Sequence, residues 1–434
     1  MKVHILLILF LVLIFSCNGK SGSETTDAPE TNSSELPSPD PDNASLKLPQ
    51  DFGAIIVADN LGRARHLAVD DKNRVYVKLG NTKNGNGIMA LVDNDQDGRS
   101  DSEERFGNFG GTDIKIHNGY LYASSDDAVY RWKMPENGEI PQGDPETIIS
   151  DFHDGTQHKA KPMAFDKEGN LYVHNGAPSN ACMEKLRTPG SPGQDPCPQL
   201  EWFGGVWKFD ADKPNQKQED GELYATGIRH FVGMHWNDEV NSLYAVQHGR
   251  DQLHQFYPDM YTEQENADLP AEEFFKIEMG DDFGWPYCYY DQFKNQKVLA
   301  PEYGGDSETI GRCADKKHPI MAFPGHFAPN DLLFYTGDQF PERYKNGAFV
   351  AFHGSWNRAP LDQAGYLVAF VPFKNGEPAG EWEVFANGFA GTKNIESPGD
   401  ADYRPCGLAQ GPDGSLYVAD DVQGRIYRIC YYGE

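Results

Sequence analysis

Arginine and histidine lie side by side at several points of an otherwise acidic chain, and these clusters are the residues best suited to chemistry. The chain of 434 residues carries 38 Lys and Arg against 66 Asp and Glu, a net charge of −28. Arginine binds carboxylates through bidentate hydrogen bonds, and neutral histidine accepts protons near pH 7. The clusters are Arg65-His66, Gln157-His158-Lys159, Arg229-His230, Gln247-His248-Gly249-Arg250-Asp251, His353-Gly354-Ser355-Trp356-Asn357-Arg358 and Tyr403-Arg404.

The elements that would position these clusters are six copies of a β-hairpin pattern. Each copy has a strand-like segment, a turn rich in Asp, Asn or Gly, and a second segment of the Leu-Tyr-Val type. The copies begin at residues 66, 113, 162, 233, 332 and 407. Six four-stranded units around one axis predict an all-β fold, a six-bladed β-propeller. Six unrelated hairpins in a sandwich are the alternative.

In a propeller, the loop before each innermost strand and the loop after each second strand open at the same end of the channel. The arginine and histidine clusters occupy those loops, so we expect them to meet at one mouth. Such a mouth predicts a pocket for an anionic group, with histidines able to move protons. Any one of these histidines on its own is more often structural than catalytic, so the concentration is the informative feature.

A separate acidic segment has the oxygen spacing of an EF-hand-type calcium loop. Asp93, Asp95, Asp97, Asp101 and Glu104 fall where such a loop places its ligands, with a glycine at the sharp turn. The flanking segments lack helical patterns, so an acidic turn without metal is the alternative. We expect a structural calcium site here.

The start of the chain indicates export. Lys2 precedes a short apolar run that ends at Ser16-Cys17, as in a secretory signal, and the residues before Cys17 are similar to a bacterial lipobox. Residues 1–17 are therefore predicted to be a lipoprotein signal peptide that leaves Cys17 lipidated. Ordinary signal cleavage is the alternative.

The composition that follows divides the rest of the chain. Residues 18–48 are rich in Ser, Thr, Pro and acidic residues, which predicts a disordered tether, and residues 49–434 would form the propeller. We expect an exported bacterial lipoprotein, periplasmic or at the cell surface, whose only contact with the membrane is its lipid anchor. The net charge of −28 argues against nucleic acid as a partner.

Six cysteines remain after Cys17, an even number that suggests three disulfides in an exported protein. The sequence alone does not select one pairing. We expect pairing in sequence order, because each pair then brackets one insertion or one blade. The expected disulfides are Cys182–Cys197, Cys288–Cys313 and Cys406–Cys430.

Several motifs of the chain resemble the glucose/sorbosone dehydrogenase family of soluble pyrroloquinoline quinone (PQQ) enzymes. The resemblance covers roughly residues 50–432, and two of the motifs resemble its sorbosone-dehydrogenase-like branch in particular. These two are His353-Gly354-Ser355-Trp356-Asn357-Arg358 and Tyr403-Arg404-Pro405. The others are Gly227-Ile228-Arg229-His230-Phe231-Val232-Gly233 and Gly280-Asp281-Asp282-Phe283-Gly284-Trp285-Pro286.

The resemblance implies a PQQ- and calcium-dependent oxidoreductase. Such an enzyme would oxidise the C1 hydroxyl of an aldose or a related sugar or polyol by hydride transfer to the quinone. An external acceptor such as a cytochrome c or a quinone would then take the electrons. The sugar itself is left open, because His230 replaces the asparagine of the family pattern.

The resemblance also implies roles for individual residues. His158 would be the catalytic base, and the backbone carbonyls of Gly249 and Arg250 would hold the catalytic calcium. The residues implied in cofactor binding are Arg229, His230, Arg358 and Arg404.

Two other functions are compatible with a six-bladed propeller. A calcium-dependent hydrolase of the lactonase type would need a ring of Asp, Asn and Glu around an axial metal. A non-catalytic binding propeller tethered to the surface would need no ring of arginine and histidine. The composition of the predicted mouth disfavours the hydrolase, whereas a binding propeller could retain a family-like mouth after losing one or two site residues; fold alone separates none of them.

Overall fold

The computed structural model describes residues 36–136, 140–392 and 394–433. Its long strands form six antiparallel sheets, the blades of a six-bladed propeller. The strands are given from the innermost outward. Blade one contains Ala64–Val69, Val75–Lys83, Asn86–Val92 and Ser102–Phe106, and blade two contains Ile114–His117, Tyr120–Ser124, Val129–Lys133 and Glu146–Ser150. Blade three contains Met163–Phe165, Asn170–Asn175, Gly205–Asp210 and Glu222–Thr226. The predicted fold is confirmed.

Blades four to six complete the ring. Blade four contains Phe231–Asn237, Ser242–Gln247, Glu272–Ile277 and Met321–Phe323; blade five Pro329–Phe334, Ala348–Phe352, Leu367–Val371 and Glu383–Ala386; and blade six Pro405–Gln410, Leu416–Asp420, Ile426–Tyr431 and Phe52–Ala58. Each predicted hairpin supplies the two innermost strands of one blade.

Short elements decorate the blades. The two-residue strand Gln216–Lys217 extends blade two, and Asp281–Asp282 extends blade three. Two small hairpins lie outside the blades, Cys288–Asp291 with Gln296–Leu299 and Phe373–Lys374 with Glu377–Pro378. The helices are Asn43–Ser45, Pro198–Glu201, Gln218–Asp220, Leu253–Phe256, Glu263–Asp268, Pro301–Tyr303, Gly311–Cys313, Glu342–Tyr344 and Pro398–Asp400. Within the described residues, no helix has the length and apolar character needed to cross a membrane.

The first strand closes the ring. Phe52–Ala58 pairs antiparallel with Ile426–Tyr431, so the outermost strand of blade six comes from the other end of the propeller sequence. Buried carboxylates also join neighbouring blades. Asp113 Oδ2 accepts a hydrogen bond from Met163 N at 2.6 Å, and Asp331 Oδ2 accepts one from Leu408 N at 2.8 Å. These bonds fix the innermost strands whose ends carry the candidate site.

The compact propeller unit begins at Pro37, earlier than the boundary expected at residue 49. Ala44 and Leu46 are buried in the core between blades five and six, and the backbone of Lys47 forms a bridge with Asn387. The predicted signal peptide, with Cys17, lies outside the described residues. Residues 18–35 of the predicted tether also lie outside them.

Two of the three expected disulfides are confirmed. Cys182–Cys197 and Cys288–Cys313 are bonded and pack in one cluster with Trp285. The expected pairing of Cys406 with Cys430 is wrong, because both are buried free thiols. They lie on the first and third strands of blade six, with the second strand between them. Because neighbouring strands are about 4.8 Å apart, the Cα atoms of the two cysteines are separated by two such spacings, more than the Cα separation of about 7 Å that a disulfide tolerates.

Candidate active site

A cavity of about 410 Å³ opens at the end of the propeller where the innermost strands begin. The loops that precede innermost strands contribute His158, Arg229, His326 and Arg404, and the loops that follow second strands contribute His248, Gly249, Asp251 and residues 353–357. An antiparallel hairpin places the start of its first strand beside the end of its second. The predicted gathering of arginine and histidine at one mouth is therefore present.

His158 lines this cavity with a defined ring orientation. Its Nδ1 lies 2.6 Å from the carbonyl oxygen of Ala177, which makes Nδ1 the protonated nitrogen and leaves the lone pair on Nε2. The residue has φ of 53°, and a Cβ at Gly176 would lie 2.4 Å from its carbonyl oxygen. Glycine at position 176 therefore allows the two loops to approach closely.

Three imidazoles form one cluster, of which His158 and His248 line the cavity and His230 lies behind them. The His230 ring stacks on that of His158 with centroids 4.7 Å apart, and the His248 ring lies 5.1 Å from His230. Burial lowers the pKa of His158 and of His230 well below the usual value, and nearby positive charge adds to the effect. Burial also lowers the pKa of His248 to about 3. The cluster is therefore neutral at pH 7.

Arg229 is buried and held by two oxygens. Its Nη1 donates to the carbonyl oxygen of Gly249 at 2.8 Å, and its Nη2 donates to Asp251 Oδ2 at 2.7 Å. Asp251 also accepts hydrogen bonds from Arg187 at 3.0 Å and from Asn357 at 2.6 Å. Burial alone would raise the pKa of Asp251, but Arg229 and further cations hold it well below the usual range. Asp251 therefore fixes the orientation of Arg229.

Arg404 lines the cavity from the loop before the innermost strand of blade six, two blades from Arg229. Its Nε and Nη2 donate to the carbonyl oxygens of His353 and Gly354, at 2.9 and 2.6 Å. His353 in turn pairs through Nε2 with Asp421, which also binds Arg65 at 2.7 Å. The Arg404 guanidinium is thus positioned by backbone, with its charge left for a ligand.

Glu272 is a second buried carboxyl group in the cavity wall. It accepts hydrogen bonds from the backbone N–H of Gly249 at 2.8 Å and of Ala328 at 3.2 Å. Burial raises the pKa of Glu272 to about 8, although these backbone bonds oppose the shift. Glu272 therefore holds the Gly249 backbone in place.

Other residues implied in binding are placed differently. Arg250 points its side chain away from the cavity into a buried ion pair with Glu302. Arg358 does not line the cavity; its Nη1 donates to the carbonyl oxygen of Ala267 at 2.6 Å, and its Nη2 contacts Asp268 at 3.3 Å. This geometry does not support the prediction that Arg358 binds the cofactor. His66 is structural, bonded to Asp113 and to the Asn330 carbonyl.

Sequence reasoning missed several residues of the site. Glu272 and His326 line the cavity, and Arg187 reaches Asp251 from the loop closed by Cys182–Cys197. A glutamate at the start of a strand or an arginine in an insertion carries no periodic signal. Their position depends on how the insertions fold over the mouth.

The acidic segment 93–104 gathers only part of its predicted ligands. Carboxylate oxygens of Asp93, Asp95 and Asp101 lie within 4.8 Å of one another, and Asp93 Oδ1 has no hydrogen-bond partner among the described residues. Asp97 and Glu104 are outside this group. Glu104 belongs to the outermost strand of blade one, which leads away from the loop, whereas the helix of an EF-hand would bring it back. Calcium binding here stays a prediction.

The cavity fits a flat, polar, anionic group of the size of PQQ. Its volume falls in the range of small-molecule sites, and it presents the cations Arg229 and Arg404. Within the described part of the chain, Arg229 Nε, His230 Nδ1 and Asn357 Oδ1 are buried without hydrogen-bond partners. Buried polar atoms are usually satisfied, and because Arg229 and Asn357 line the cavity, their unpartnered atoms mark places where a polar ligand would bind; His230 lies behind His158.

Comparison with known proteins gives one family over nearly the whole chain. The family model described as TrAA12-like matches residues 46–431. Over 362 residues the chain is 26% identical to a pyrroloquinoline quinone-dependent pyranose dehydrogenase of Coprinopsis cinerea, an alignment covering 74% of this chain and 46% of that protein. This chain spans about half the length of the curated relatives that it matches.

Solved structures show the same fold. The holo PQQ domain of the Coprinopsis cinerea pyranose dehydrogenase has a TM-score of 0.70 at 19% identity, covering 89% of this chain and 97% of that one. A calcium structure of the Trichoderma reesei enzyme of family AA12 has a TM-score of 0.72 at 18% identity, also covering 89% and 97%. At these identities the likeness concerns the propeller alone. The sorbosone-like branch stays a prediction.

Proposed function

This chain belongs to the TrAA12-like family, and we propose that it is a PQQ-dependent oxidoreductase acting on a sugar or a related polyol. One observation carries the proposal: His158, whose Nδ1 is bonded and whose Nε2 has no hydrogen-bond partner among the described residues, lines the same cavity as Arg229 and Arg404. A base beside two cations suits the removal of a hydroxyl proton next to a bound anionic cofactor.

Arg229 and Arg404 would hold the cofactor. PQQ is a tricarboxylate, and two guanidinium groups contributed by different blades match such a ligand through charge-assisted hydrogen bonds. When bound, PQQ supplies a quinone that accepts the hydride from the carbinol carbon of the alcohol that is being oxidised. Asp251 keeps Arg229 aimed, and the His353 and Gly354 carbonyls keep Arg404 aimed.

His158 would take the hydroxyl proton of the substrate. The bond from its Nδ1 to Ala177 fixes the tautomer, so Nε2 is the accepting atom. Its lowered pKa keeps the ring neutral over a wide pH range and favours rapid return of the proton to solvent at the open mouth. Half-exposed Trp356 at the rim offers an aromatic face to the sugar ring.

Calcium belongs to the proposal as a second ligand of the cavity. The oxygens available to a hard cation include the Gly249 carbonyl and the unpartnered Asn357 Oδ1. In this structure the Gly249 carbonyl accepts a hydrogen bond from Arg229. A carbonyl oxygen has two lone pairs, so a metal held by the Gly249 and Arg250 carbonyls would share the Gly249 oxygen with Arg229.

We propose export as a lipoprotein anchored through Cys17, and electron transfer from the reduced enzyme to an external cytochrome c or quinone. Oxidation at C1 of the sugar is the finer reaction that the resemblance supports.

The lactonase-type alternative is less well matched by the cavity. A ring of free carboxylates around an axial metal is its requirement, yet Asp251 is bonded to two arginines and Glu272 to two backbone N–H groups. A pure binding protein would have no need for a histidine with an oriented, unbonded nitrogen in the cavity.

Reconstitution tests the proposal. The purified protein is loaded with PQQ and calcium and supplied with a redox dye and a panel of aldoses, ketoses and polyols. Sugar-dependent dye reduction that requires PQQ supports the proposal. Stable PQQ binding without reduction by any member of the panel would leave a binding protein instead.

A further inference from the structure

A second and larger cavity, of about 830 Å³, opens at the same end of the propeller as the candidate active cavity. It lies between blades five and six. Its walls come from the loop before Leu367–Val371, the loop after Glu383–Ala386 and the start of Ile426–Tyr431. In a four-stranded antiparallel blade, the starts of the first and third strands and the ends of the second and fourth strands lie at the same end of the propeller. Both cavities are lined by loops at these strand ends, so they open in the same direction.

The two cavities share a wall. Phe327 and Tyr403 line the second cavity, and their chain neighbours Ala328 and Arg404 line the active cavity. The Tyr366 ring lies 5.7 Å below the Arg404 guanidinium, measured from its centroid. A ligand that extends from one cavity therefore has only this wall to cross before it reaches the other.

The wall of the second cavity contains buried polar groups without partners. Gln363 and Tyr366 are 7% and 3% exposed, and among the described residues Gln363 Oε1 and Tyr366 Oη have no hydrogen-bond partner. Gln363 Oε1 is an acceptor and the Tyr366 hydroxyl is a donor. A hydroxyl group satisfies both kinds of atom, because it donates and accepts.

The rest of the lining fits a neutral ring with apolar and polar faces. Phe389 and Tyr403 present aromatic surface to the cavity. The charges at its rim have both signs: Lys47 and Asp402 are exposed, and Arg425 is bonded to Asp59. A uniformly charged ligand gains nothing from this rim, whereas a polyhydroxylated ring matches both the aromatic faces and the unpartnered atoms.

We propose that the second cavity binds additional sugar units of an oligosaccharide or glycoside whose terminal unit occupies the active cavity. This inference rests on the proposed function and makes it more specific, because it assigns a preference for extended carbohydrates over single sugars. The shared wall, the common direction of the openings and the lining chemistry each support it.

Binding to the cofactor-free protein tests the inference without activity. Calorimetry compares glucose with maltotriose, cellotriose and laminaritriose, which differ in linkage. We expect at least one trisaccharide to bind about tenfold more tightly than glucose, corresponding to about 1.4 kcal/mol. Thr392→Trp, at the exposed rim of the second cavity, should remove this gain and leave glucose affinity unchanged.

Two further variants provide a matched control and a test of the amide group in the cavity wall. Lys374→Trp, on a small hairpin remote from both cavities, should keep the trisaccharide preference and serves as the matched control. Gln363→Met keeps the side-chain volume and removes the amide, so it should weaken trisaccharide binding several-fold. Trisaccharides that bind no more tightly than glucose, or a gain that survives Thr392→Trp, would overturn the inference.

The same proteins loaded with PQQ and calcium separate this inference from the proposed function. In one outcome, monosaccharides reduce the dye and Thr392→Trp does not change kcat/KM for a trisaccharide. This outcome would overturn the second site and leave the proposed function standing. Trisaccharide binding that Thr392→Trp abolishes, without dye reduction by any sugar, would support the second site and contradict the proposed function.

Discussion

The imidazole rings of His158 and His230 lie face to face, with centroids 4.7 Å apart and planes inclined by 27°. Of the two, His158 lines the cavity, and its Nδ1 is bonded to the Ala177 carbonyl. His230 stands behind it with Nδ1 unpartnered among the described residues. The geometry thus favours Nε2 of His158 as the proton acceptor and gives His230 a supporting position.

The first prediction separates these two histidines. His158→Ala should retain PQQ and the fold but lower sugar-dependent reduction by about 10²–10⁴-fold, the usual effect of losing a general base. His230→Asn, which restores the amide of the family pattern, should lower it far less. Stopped-flow bleaching of the bound quinone measures both. Near-parental rates in His158→Ala together with collapse in His230→Asn would transfer the role to His230.

The second prediction concerns the arginines. Arg404→Ala should weaken PQQ binding by about 1.5–3 kcal/mol, because it removes a charge-assisted hydrogen bond, and Arg404→Lys should recover part of the loss. Arg229→Ala should weaken binding as well and also lower the melting temperature, because Asp251 would stay buried with fewer partners. Fluorescence titration with PQQ measures the affinities.

Arg358→Ala is the matched control for this series. Its side chain is bonded to backbone carbonyls outside the cavity, so PQQ affinity should be unchanged. A loss in Arg358→Ala as large as that in Arg404→Ala would restore the prediction made from the sequence and place the cofactor elsewhere.

Much of the fold was predictable because it depends on local patterns. Each hairpin repeat alternates apolar and polar residues around an Asp, Asn or Gly turn, and each became the inner half of a blade. The outer strands were not predictable to the same degree, since long insertions interrupt them, such as residues 248–271 and 278–320 on either side of Glu272–Ile277. The cysteine pairing in blade six failed because sequence order does not show which strand lies between two residues.

The candidate site was predictable where residues sit at strand ends. His158, Arg229 and Arg404 lie in the loops that lead into innermost strands, so the topology alone brings them to one mouth. Arg187 and Glu272 were missed because their positions depend on how insertions pack. Arg358 was placed in the site by resemblance, but the structure directs its side chain toward the Ala267 carbonyl.

The third prediction concerns acid stability. Burial lowers the pKa of His174, a fully buried residue bonded to the Gly205 carbonyl, to about 3. The unfolded chain binds a proton below pH 6.5 that the folded protein excludes, so the free energy of unfolding falls as the pH drops from 6.5 toward 3. This histidine contributes about 1.4 kcal/mol per pH unit in that window.

His174→Gln should therefore flatten the decline of the melting temperature between pH 6.5 and 4, whatever its effect at pH 7. His153→Gln, at a partly exposed position beside Glu219, provides the comparison and should leave the slope closer to that of the parent. An unchanged slope in His174→Gln would mean that other groups dominate acid unfolding.

The fourth prediction concerns the acidic loop. If Asp93, Asp95 and Asp101 bind a structural calcium, the metal stabilises the folded state by mass action and raises the melting temperature. Asp95→Ala should abolish that rise and leave PQQ affinity nearly unchanged. Asp97→Ala, outside the cluster, should keep most of it. A parental calcium response in Asp95→Ala would identify the loop as an acidic turn.

The most direct test is the absorbance of bound PQQ when sugar is added, followed in the parent protein and in His158→Ala at saturating calcium. We predict that both proteins bind PQQ, that calcium chelation weakens this binding, and that sugar bleaches the quinone rapidly in the parent alone. Failure of the parent to bind PQQ, or bound PQQ that no sugar reduces, would contradict the assignment of this cavity as a quinoprotein active site.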